Sequence, residues 1–416
     1  MSEPFDAAAW EPLPLREVPV RDGAVEALLT WARGEGVACD PIEIRVDARG
    51  DRSVFARRPI AAGEVLVSVP RRLMITNVDV YGDAALAAIR EHEPQLQSKH
   101  SMMGLWLARR AREATSRWRW FIEAVPPAFP WLPAFRPADE VAGLAETRAL
   151  AAVDAQVGGT RGDHALFETV LGDDVPALAE LAWGRMVSAT RCFRVDLEDG
   201  SVRTLVPVAD LFNHRDAADA TWGFEPSSAR FEVTSVRALA AGDEIAISYG
   251  AHDNALFVSG HGFALVDNPQ DEVALSLRTP GGGVSWAPVG ASYDARFHAL
   301  IRVAQRNAGD VDEPDAVLHY IASSAAASLA ALAVPVELVG DPGWQATCAM
   351  VRAGERAVLV AIIGFVDTLR ALGVRDRDGW RAVAAAHASG TSPHDRLVAS
   401  YARNAAGDDR ALTLTT

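Results

Sequence analysis

In two short stretches of the chain, a run of apolar residues is followed by side chains that can form hydrogen bonds. The first, Val206 to His214, ends on an Asn-His pair and carries Asp210 three residues before the asparagine. After a hairpin of roughly thirty residues, a β-type run from Ile245 ends on the dipeptide Tyr249-Gly250. A tyrosine presents a rigid polar tip on an apolar stem, and an amide and an imidazole add donors and acceptors. The pattern predicts a binding or catalytic site built from both stretches.

Other chemistries fit the residues less well. Cys192, His214 and Asp210 would supply the groups of a cysteine hydrolase, but no characteristic nucleophile context surrounds the cysteine. The chain has no Gly-x-Gly-x-x-Gly segment, which disfavours a Rossmann-type nucleotide site, and no His-Glu-x-x-His metal motif. No metal is predicted.

A third stretch, Asn254 to Phe263, follows the tyrosine and is similar to an "Asn-Ala-Glu … Gly-Phe" segment. In this order and spacing, the three stretches resemble the SET-domain protein methyltransferases, and more narrowly the Rubisco large-subunit methyltransferase type. The resemblance implies an α+β chain, with a SET-type β-fold, a helical insert and an all-helical C-terminal domain. It also implies S-adenosylmethionine as cofactor and a lysine side chain of a protein or peptide as substrate.

Methyl transfer from a sulfonium to an amine is an in-line displacement that requires a neutral nucleophile and exclusion of water. Free lysine has a pKa of about 10.4, and burial and a nearby sulfonium both lower it. No dedicated base is then required. This agrees with the lack of an obvious carboxylate-histidine pair at Tyr249.

The resemblance assigns roles to the polar residues. It places the hydroxyl of Tyr249 at the transfer point, where it orients the target nitrogen. Asn213 and His214 correspond to the pair that reads the adenine and amino-acid ends of the cofactor. Asp210 contacts the cofactor or caps its turn, and Arg191 pairs with the cofactor carboxylate or forms a structural ion pair.

The predicted cofactor turn departs from the family pattern. The usual Gly-x-Gly-Leu reads Asp51-Arg52-Ser53-Val54 here. Because glycine permits positive φ and close ligand approach, its loss means that backbone groups of ordinary conformation suffice, or that cofactor binding is altered or absent. We assign Gly50, Arg52, Ser53 and Phe263 to the cofactor site. The alternative is a non-catalytic binding module on a SET scaffold.

Three positions bear on the substrate. In the branch of the family that methylates actin histidine, an asparagine and a tryptophan stand where this chain has Phe193 and Ala209. An apolar pair there favours lysine. His261 stands where several lysine enzymes carry a second tyrosine, so a histidine or a peptide amine remains an alternative substrate.

Bulk properties exclude several classes of protein. There are 55 acidic and 40 basic residues, and the net charge of −15 predicts no nucleic-acid partner. An acidic surface favours a lysine-rich substrate or serves solubility. The three cysteines, none close to another in sequence, exclude a disulfide framework and the zinc clusters that flank many histone-directed SET enzymes.

Two stretches of the sequence bear on its expected localisation. The first ten residues do not form a signal peptide. The longest apolar stretch, Ala357 to Val366, is too short to span a bilayer and predicts a buried helix. We expect a cytoplasmic protein without a membrane partner.

Periodicity predicts the elements that position the site. Residues 1–20 form an N-terminal arm, Val25 to Ala32 has helical spacing, and Ile42 to Val46 and Val65 to Val69 are predicted strands. A SET domain is expected over 21–280, with its helical insert at about 80–185.

The C-terminal part is predicted to be helical and to dock the protein or peptide substrate, over residues 288–416. Phe297 to Ala304 and Val317 to Ile321 keep helical spacing, and Ser392-Pro393 is a plausible helix cap.

Overall fold

The computed structural model describes residues 5–18, 21, 23–47, 50–198, 200–278, 284–291, 297, 314–372 and 377–406. Over these residues, the helices are α1 Ala24–Gly34, α2 Asn77–Gly82, α3 Ala87–Arg90, α4 Ser101–Arg112, α5 Arg119–Ala124, α6 Ala138–Val141, α7 Arg148–Leu171, α8 Leu178–Arg191, α9 Asn254–His261, α10 Pro314–Leu332, α11 Pro342–Leu372, α12 Arg377–His387 and α13 Pro393–Ala406. The strands are β1 Ile42–Val46, β2 Arg52–Ala56, β3 Val65–Pro70, β4 Ile75–Thr76, β5 Phe193–Leu197, β6 Gly200–Leu205, β7 Asn213–His214, β8 Ala220–Glu225, β9 Arg230–Ser235, β10 Ala246–Ile247, β11 Glu272–Arg278 and β12 Val284–Gly290.

The chain divides into two compact units. The sheet unit comprises Leu13–Pro130 and Gln156–Ala251, and the helical unit comprises Met1–Pro12, Trp131–Ala155 and His252–Thr416. The predicted limits of the arm, the SET domain, its insert and the C-terminal domain stay a prediction.

The main sheet of the sheet unit has the strand order β3-β9-β8-β10-β7. Strands β8 and β9 form the predicted hairpin, antiparallel from Ala220 opposite Ser235 to Glu225 opposite Arg230. Along β9, Phe231 and Val233 are fully buried and alternate with partly exposed residues, as expected for a strand with one face on the core.

Strand β10 lies between two strands that precede it in sequence. It pairs parallel with β7, Ala246 opposite Asn213, and parallel with β8 through Ile247 and Ala220. The Asn-His pair and the strand that leads to Tyr249 are therefore hydrogen-bonded neighbours. This juxtaposition builds the site.

Two smaller sheets complete the β-structure of this unit. Strands β1 and β2 are antiparallel, and β6 lies between β4 and β5. The predicted helix over 25–32 and the predicted strands over 42–46 and 65–69 are confirmed as α1, β1 and β3.

Helices α4 and α8 cross closely because each has a glycine at the crossing. A Cβ atom on Gly184 would lie 2.3 Å from the carbonyl oxygen of Gly104, so a side chain there would force the helices apart. Beside the crossing, Arg185 lies 3.6 Å from the buried carboxylate of Asp163, which also accepts a hydrogen bond from Ser101. This contact orients α8, whose last residue is Arg191.

The helical unit has its own apolar core. Ile321 of α10, Ile362 and Phe365 of α11 and Leu397 of α13 are almost completely buried in one cluster. The predicted buried helix at 357–366 is confirmed as part of α11. Ser392 caps α13 by accepting a hydrogen bond from the Asp395 amide at 3.1 Å, as predicted. The predicted helix over 297–304 lies outside the described residues, except for Phe297.

The described elements confirm the predicted α+β class: small sheets with interspersed helices, and a helical C-terminal region. Among the described helices, none has the combination of length and apolar character needed to cross a membrane.

Candidate functional site

The segment that leads to the Asn-His pair has an unusual backbone. Val208 has φ 75° and ψ −45°, and a β-branched residue rarely adopts a positive φ. It is followed by a single 3-10 turn, Ala209–Leu211, and the Asp210 amide donates to the Val206 carbonyl at 3.1 Å. Such strain costs on the order of 1–3 kcal/mol and is typical of functional sites. The turn places Asp210 and the Phe212 carbonyl at the start of β7.

Asn213 connects β7 with the predicted cofactor turn. The Nδ2 atom of its side chain donates to the Arg52 carbonyl at 2.9 Å and to the Ser53 hydroxyl at 3.1 Å. The turn has a glycine with positive φ at Gly50, where φ is 87°. The backbone thus retains a residue suited to a tight turn immediately before the Asp-Arg-Ser-Val sequence that departs from the family pattern.

Tyr249 is held at both ends by the Asn-His segment. Its amide donates to His214 Nδ1 at 3.1 Å, and its hydroxyl donates to the Phe212 carbonyl at 2.9 Å. The His214 and Tyr249 ring centroids are 5.2 Å apart. Because Nδ1 accepts, the proton of a neutral His214 lies on Nε2. Burial raises the pKa of Tyr249, which keeps the hydroxyl protonated at neutral pH.

Arg191 and Asp210 form an ion pair beside the tyrosine. Arg191 Nη1 donates to the Asp210 carbonyl at 2.9 Å and to Oδ2 at 3.1 Å. Burial raises the pKa of Asp210, although Arg191 and Arg52 oppose the shift. Burial and the charge of Arg191 lower the pKa of Arg52, whose guanidinium donates to the Ala124 carbonyl.

The ion pair leaves two buried polar atoms without a hydrogen-bond partner among the described residues. They are Arg191 Nε, a donor, and Asp210 Oδ1, an acceptor. Buried polar atoms are normally paired, so each exception requires an explanation. A bound ligand that offers one acceptor and one donor would satisfy both atoms.

An aromatic cluster borders the strand that ends at the tyrosine. Phe193 is buried, with its ring centroid 5.0 Å from Trp222 and 4.8 Å from Phe231. Trp222 Nε1 donates to the carbonyl of Ser248, the neighbour of Tyr249, at 3.4 Å. Ala209 is fully buried in its turn. The cluster is thus linked, through Trp222, to the residue that precedes Tyr249.

The structure brings together most of the predicted site. Within the sheet unit, it connects the following residues by hydrogen bonds or by short sequence separation: Gly50, Arg52, Ser53, Arg191, Asp210, Asn213, His214 and Tyr249. Their functional roles stay predictions, as do those of Phe193 and Ala209.

His261 and Phe263 lie in the helical unit. His261 ends α9, and Gly262 follows it with φ 81°. The ring of Phe263 stacks on Phe257 at 5.1 Å and lies 6.0 Å from His261. The predicted roles of both residues stay predictions.

The sequence analysis did not predict two contacts of the Ser248-Tyr249 segment, one with the Phe212 carbonyl and one with Trp222. The Phe212 carbonyl is a backbone group, which side-chain patterns do not reveal. Trp222 lies on β8, and its ring stacks on that of Phe231 on β9. Because aromatic residues favour cross-strand contacts, this pair could have been predicted from the two hairpin sequences.

The thiol of Cys192 is not activated. Its sulfur lies 3.4 Å from the sulfur of Met103, and burial raises its pKa to about 12. A thiol with such a pKa stays protonated at neutral pH and is a poor nucleophile. The structure therefore offers no support for a cysteine hydrolase.

Comparison with known proteins points to one family. Residues 51–250 match the SET domain model. The chain is 26% identical over 317 residues to the actin-histidine N-methyltransferases of Canis lupus familiaris and Homo sapiens, covering 73% of this chain and 51% of theirs. The Gallus gallus protein of that name is 26% identical over 324 residues, covering 75% of this chain and 52% of the relative. The chain thus spans about half the length of these curated relatives.

Solved structures show the same fold. A crystal structure of the SET domain of LSMT bound to lysine and AdoHcy aligns with a TM-score of 0.70 at 17% identity, covering 85% of this chain and 92% of that one. A structure of Rubisco LSMT bound to AdoMet aligns with a TM-score of 0.67 at 18% identity, with coverages of 85% and 92%. Residues 51–250 therefore carry a SET domain, and the predicted SET-type fold, shared with these LSMT structures, is confirmed.

Proposed function

We propose that this chain is an S-adenosylmethionine-dependent protein-lysine N-methyltransferase with Tyr249 at the point of transfer. The observation that carries the proposal is the fixed phenol. The Tyr249 hydroxyl is held on the Phe212 carbonyl, beside an ion pair with two spare polar atoms. The relatives are methyltransferases by name, and the solved neighbours bind AdoMet or AdoHcy.

The spare atoms fit the amino-acid end of the methyl donor. Arg191 Nε would donate to its carboxylate, and Asp210 Oδ1 would accept from its ammonium group. Gly50, Arg52, Ser53, Asn213 and His214 supply the surrounding turn and strand, and Phe263 is proposed as a further contact. Bound S-adenosylmethionine supplies an electrophilic methyl group on a positively charged sulfur.

The phenol is oriented to receive an amine. The Tyr249 hydroxyl donates its single proton to the Phe212 carbonyl, and a phenol oxygen can act as a hydrogen-bond acceptor as well as a donor. A neutral target amine that donates an N–H to this oxygen keeps its own lone pair for the methyl group. Burial of the site favours the neutral amine, because desolvation lowers the pKa of lysine.

The aromatic cluster supports lysine as the target. The rings of Phe193 and Phe231 are buried and pack against Trp222, whose partly exposed apolar ring would suit a methylene chain. The Phe193 side chain has no hydrogen-bonding group for an imidazole, and Ala209 contributes little surface. By its position in the family pattern, His261 is proposed as a further substrate residue.

A second candidate is histidine methylation, which the names of the curated relatives favour. Incubation of a host lysate with the enzyme and isotopically labelled methyl donor, followed by mass spectrometry, decides between the two. Label on lysine supports the proposal, and label confined to histidine replaces it.

We also propose that the substrate is a protein or peptide docked on residues 288–416. The three free cysteines fit a reducing, cytoplasmic environment.

The decisive variant is Tyr249→Phe. We expect turnover to fall about 100-fold or more, the usual effect of losing one preorganised polar contact, while donor affinity measured by calorimetry changes little. Tyr81→Phe, which alters a tyrosine of α2 outside the site, is the matched control.

Unchanged turnover in Tyr249→Phe would remove the phenol from the mechanism. If the unmodified chain gives no heat and no rise in melting temperature with S-adenosylmethionine, the binding-module alternative replaces the enzyme.

A further inference from the structure

A second concave site lies in the sheet unit, apart from the residues described above. A cavity of about 610 Å³ is bounded by β4, α2, the end of α4 and the segment that leads to α5. A neighbouring cavity of about 310 Å³ shares Asp83, Trp106, Arg110 and Glu113 with it. The larger cavity lies within the range of small-ligand sites, about 300–1,000 Å³. We call it the arginine cleft.

Four arginines line the arginine cleft, although the chain as a whole is acidic. Arg71 pairs with Asp79 at 3.2 Å, and Arg110 pairs with Asp83 and Glu113. Arg72 binds the Glu35 carbonyl at 2.5 Å and reaches its carboxylate only at 3.4 Å.

Arg117 is the cation that these acidic residues do not neutralise. Its guanidinium donates to the Arg72 carbonyl at 3.3 Å and lies 4.6 Å from the ring centroid of Trp118. Within the described part of the chain, it contacts no carboxylate. Against three acidic lining residues, the four arginines give the cleft a net positive charge.

The inner surface of the cleft is apolar. Met74, Ile75 and Val80 line it and are almost fully buried, so they form a fixed floor. Trp106 and Trp118 contact each other edge to face, with centroids 6.4 Å apart. Arginines at the rim and aromatic rings below them suit a ligand with an anionic end and an apolar body.

We propose that the arginine cleft binds an organic oxyanion, a carboxylate or phosphate on an apolar or aromatic body. Arg117 holds the anionic group, because it is the guanidinium with spare donors toward the cavity rim. Trp118 and the apolar floor hold the body. Arg52, Arg191 and Tyr249 do not line the cleft, so its occupancy does not require the methyl-transfer site.

The test uses defined probes on the full chain. Isothermal titration calorimetry with 1-naphthoate and 1-naphthyl phosphate measures the two anionic classes, and the tighter probe identifies the preferred one. 1-Naphthalenemethanol lacks the charge, and inorganic phosphate lacks the apolar body. We expect both of these to bind at least about tenfold more weakly than the better anionic probe, as for the loss of one charge-assisted contact.

Two variants locate the probe. Arg117→Gln is expected to weaken binding of the better probe about tenfold, with its melting temperature unchanged because the side chain is exposed. Arg194→Gln, an exposed arginine of β5 outside the cleft, is the matched control and should bind as the unmodified chain does.

Three results would overturn the proposal: no binding of either anionic probe, equal binding of the neutral alcohol, or equal affinity in Arg117→Gln. Tyr249→Phe must bind the probe normally. This readout separates failure of the cleft from failure of the proposed methyl transfer.

Discussion

In both units of the molecule, an arginine packs against buried carboxylates. The two units differ in whether the buried polar atoms of these side chains have partners. In the sheet unit, Arg191 and Asp210 leave a donor and an acceptor without partners. In the helical unit, Arg148 contacts Asp253 and lies 3.4 Å from Glu272. Its amide donates to the buried carboxylate of Glu355 at 2.8 Å.

A further buried carboxylate of the helical unit, that of Asp271, is also hydrogen-bonded. Asp271 accepts from the Asn254 amide at 2.9 Å and from the Asn254 side chain at 3.1 Å. Burial raises the pKa of Asp271 to about 6 and that of Glu355 to about 8. Raised pKa values occur in both units, so the pKa alone does not distinguish a binding site from a structural network. Buried atoms without a hydrogen-bond partner also occur in both units, but Arg148 Nη1 and Asp253 Oδ2 contact each other as an ion pair. Among the described residues, Arg191 Nε and Asp210 Oδ1 have no such contact, and this difference favours a binding site at Arg191 and Asp210.

The largest effect expected from this comparison is on the stability of Arg148→Met. Removing this guanidinium leaves the Asp253 and Glu272 carboxylates, which are about 90% buried, without their cation. We expect the free energy of unfolding to fall by about 3 kcal/mol, measured by urea titration. Arg356→Met, an exposed position on the same helix as Glu355, should change it by less than about 0.5 kcal/mol. Equal losses in both would show that the Arg148 network is not structural.

Per pH unit, a smaller effect is expected on the pH dependence of stability. The pKa of Glu355 is about 8 in the folded chain against an ordinary 4.5, so the folded state binds this proton more tightly. The resulting stabilisation is complete below the ordinary pKa and is lost as the pH rises through about 8. We expect stability to fall between about pH 5 and 8, by up to about 1.4 kcal/mol per pH unit from this group.

Glu355→Gln cannot lose this proton, so its stability should be flatter over the same range. Glu337→Gln, an exposed glutamate, should keep the slope of the unmodified chain. Parallel slopes for Glu355→Gln and the unmodified chain would contradict the assignment.

The smallest effect on stability is expected from replacing the site pair as a unit. In the double variant Arg191→Met with Asp210→Leu, no buried charge of the pair remains uncompensated, and such replacements are often neutral or stabilising. We expect stability within about 1 kcal/mol of the unmodified chain, together with loss of S-adenosylmethionine binding by calorimetry. Retained binding would show that the spare atoms of the pair do not serve the cofactor.

The sequence predicts the elements whose cause is local. The helix over 25–32 and the strand over 42–46 form where the spacing predicts them. The helix buries the face that its spacing indicates, whereas Ile42 is the one fully buried residue of the strand. The Asn-His and Tyr-Gly stretches also lie where the motif order indicates, as hydrogen-bonded neighbours.

Features that depend on distant contacts escape such reasoning. The apolar run at 357–366 predicts about ten helical residues, whereas α11 extends over 31, because tertiary partners hold its more polar first half. The positive φ of Val208 contradicts its residue type, and the surrounding packing imposes it. The burial of Glu355 depends on Arg148, 207 positions away.

The placement of β10 between β7 and β8 has a consequence for biosynthesis. The central strand of the site is supplied after both of its neighbours, so a ribosome must release the chain beyond residue 250 before the phenol can reach its carbonyl partner. Pairing between such distant segments is slow compared with helix formation. We therefore expect that the pocket does not form on a nascent chain, or on a chain truncated before this strand. We expect the pocket, and with it the proposed donor binding, to form in one late step of folding.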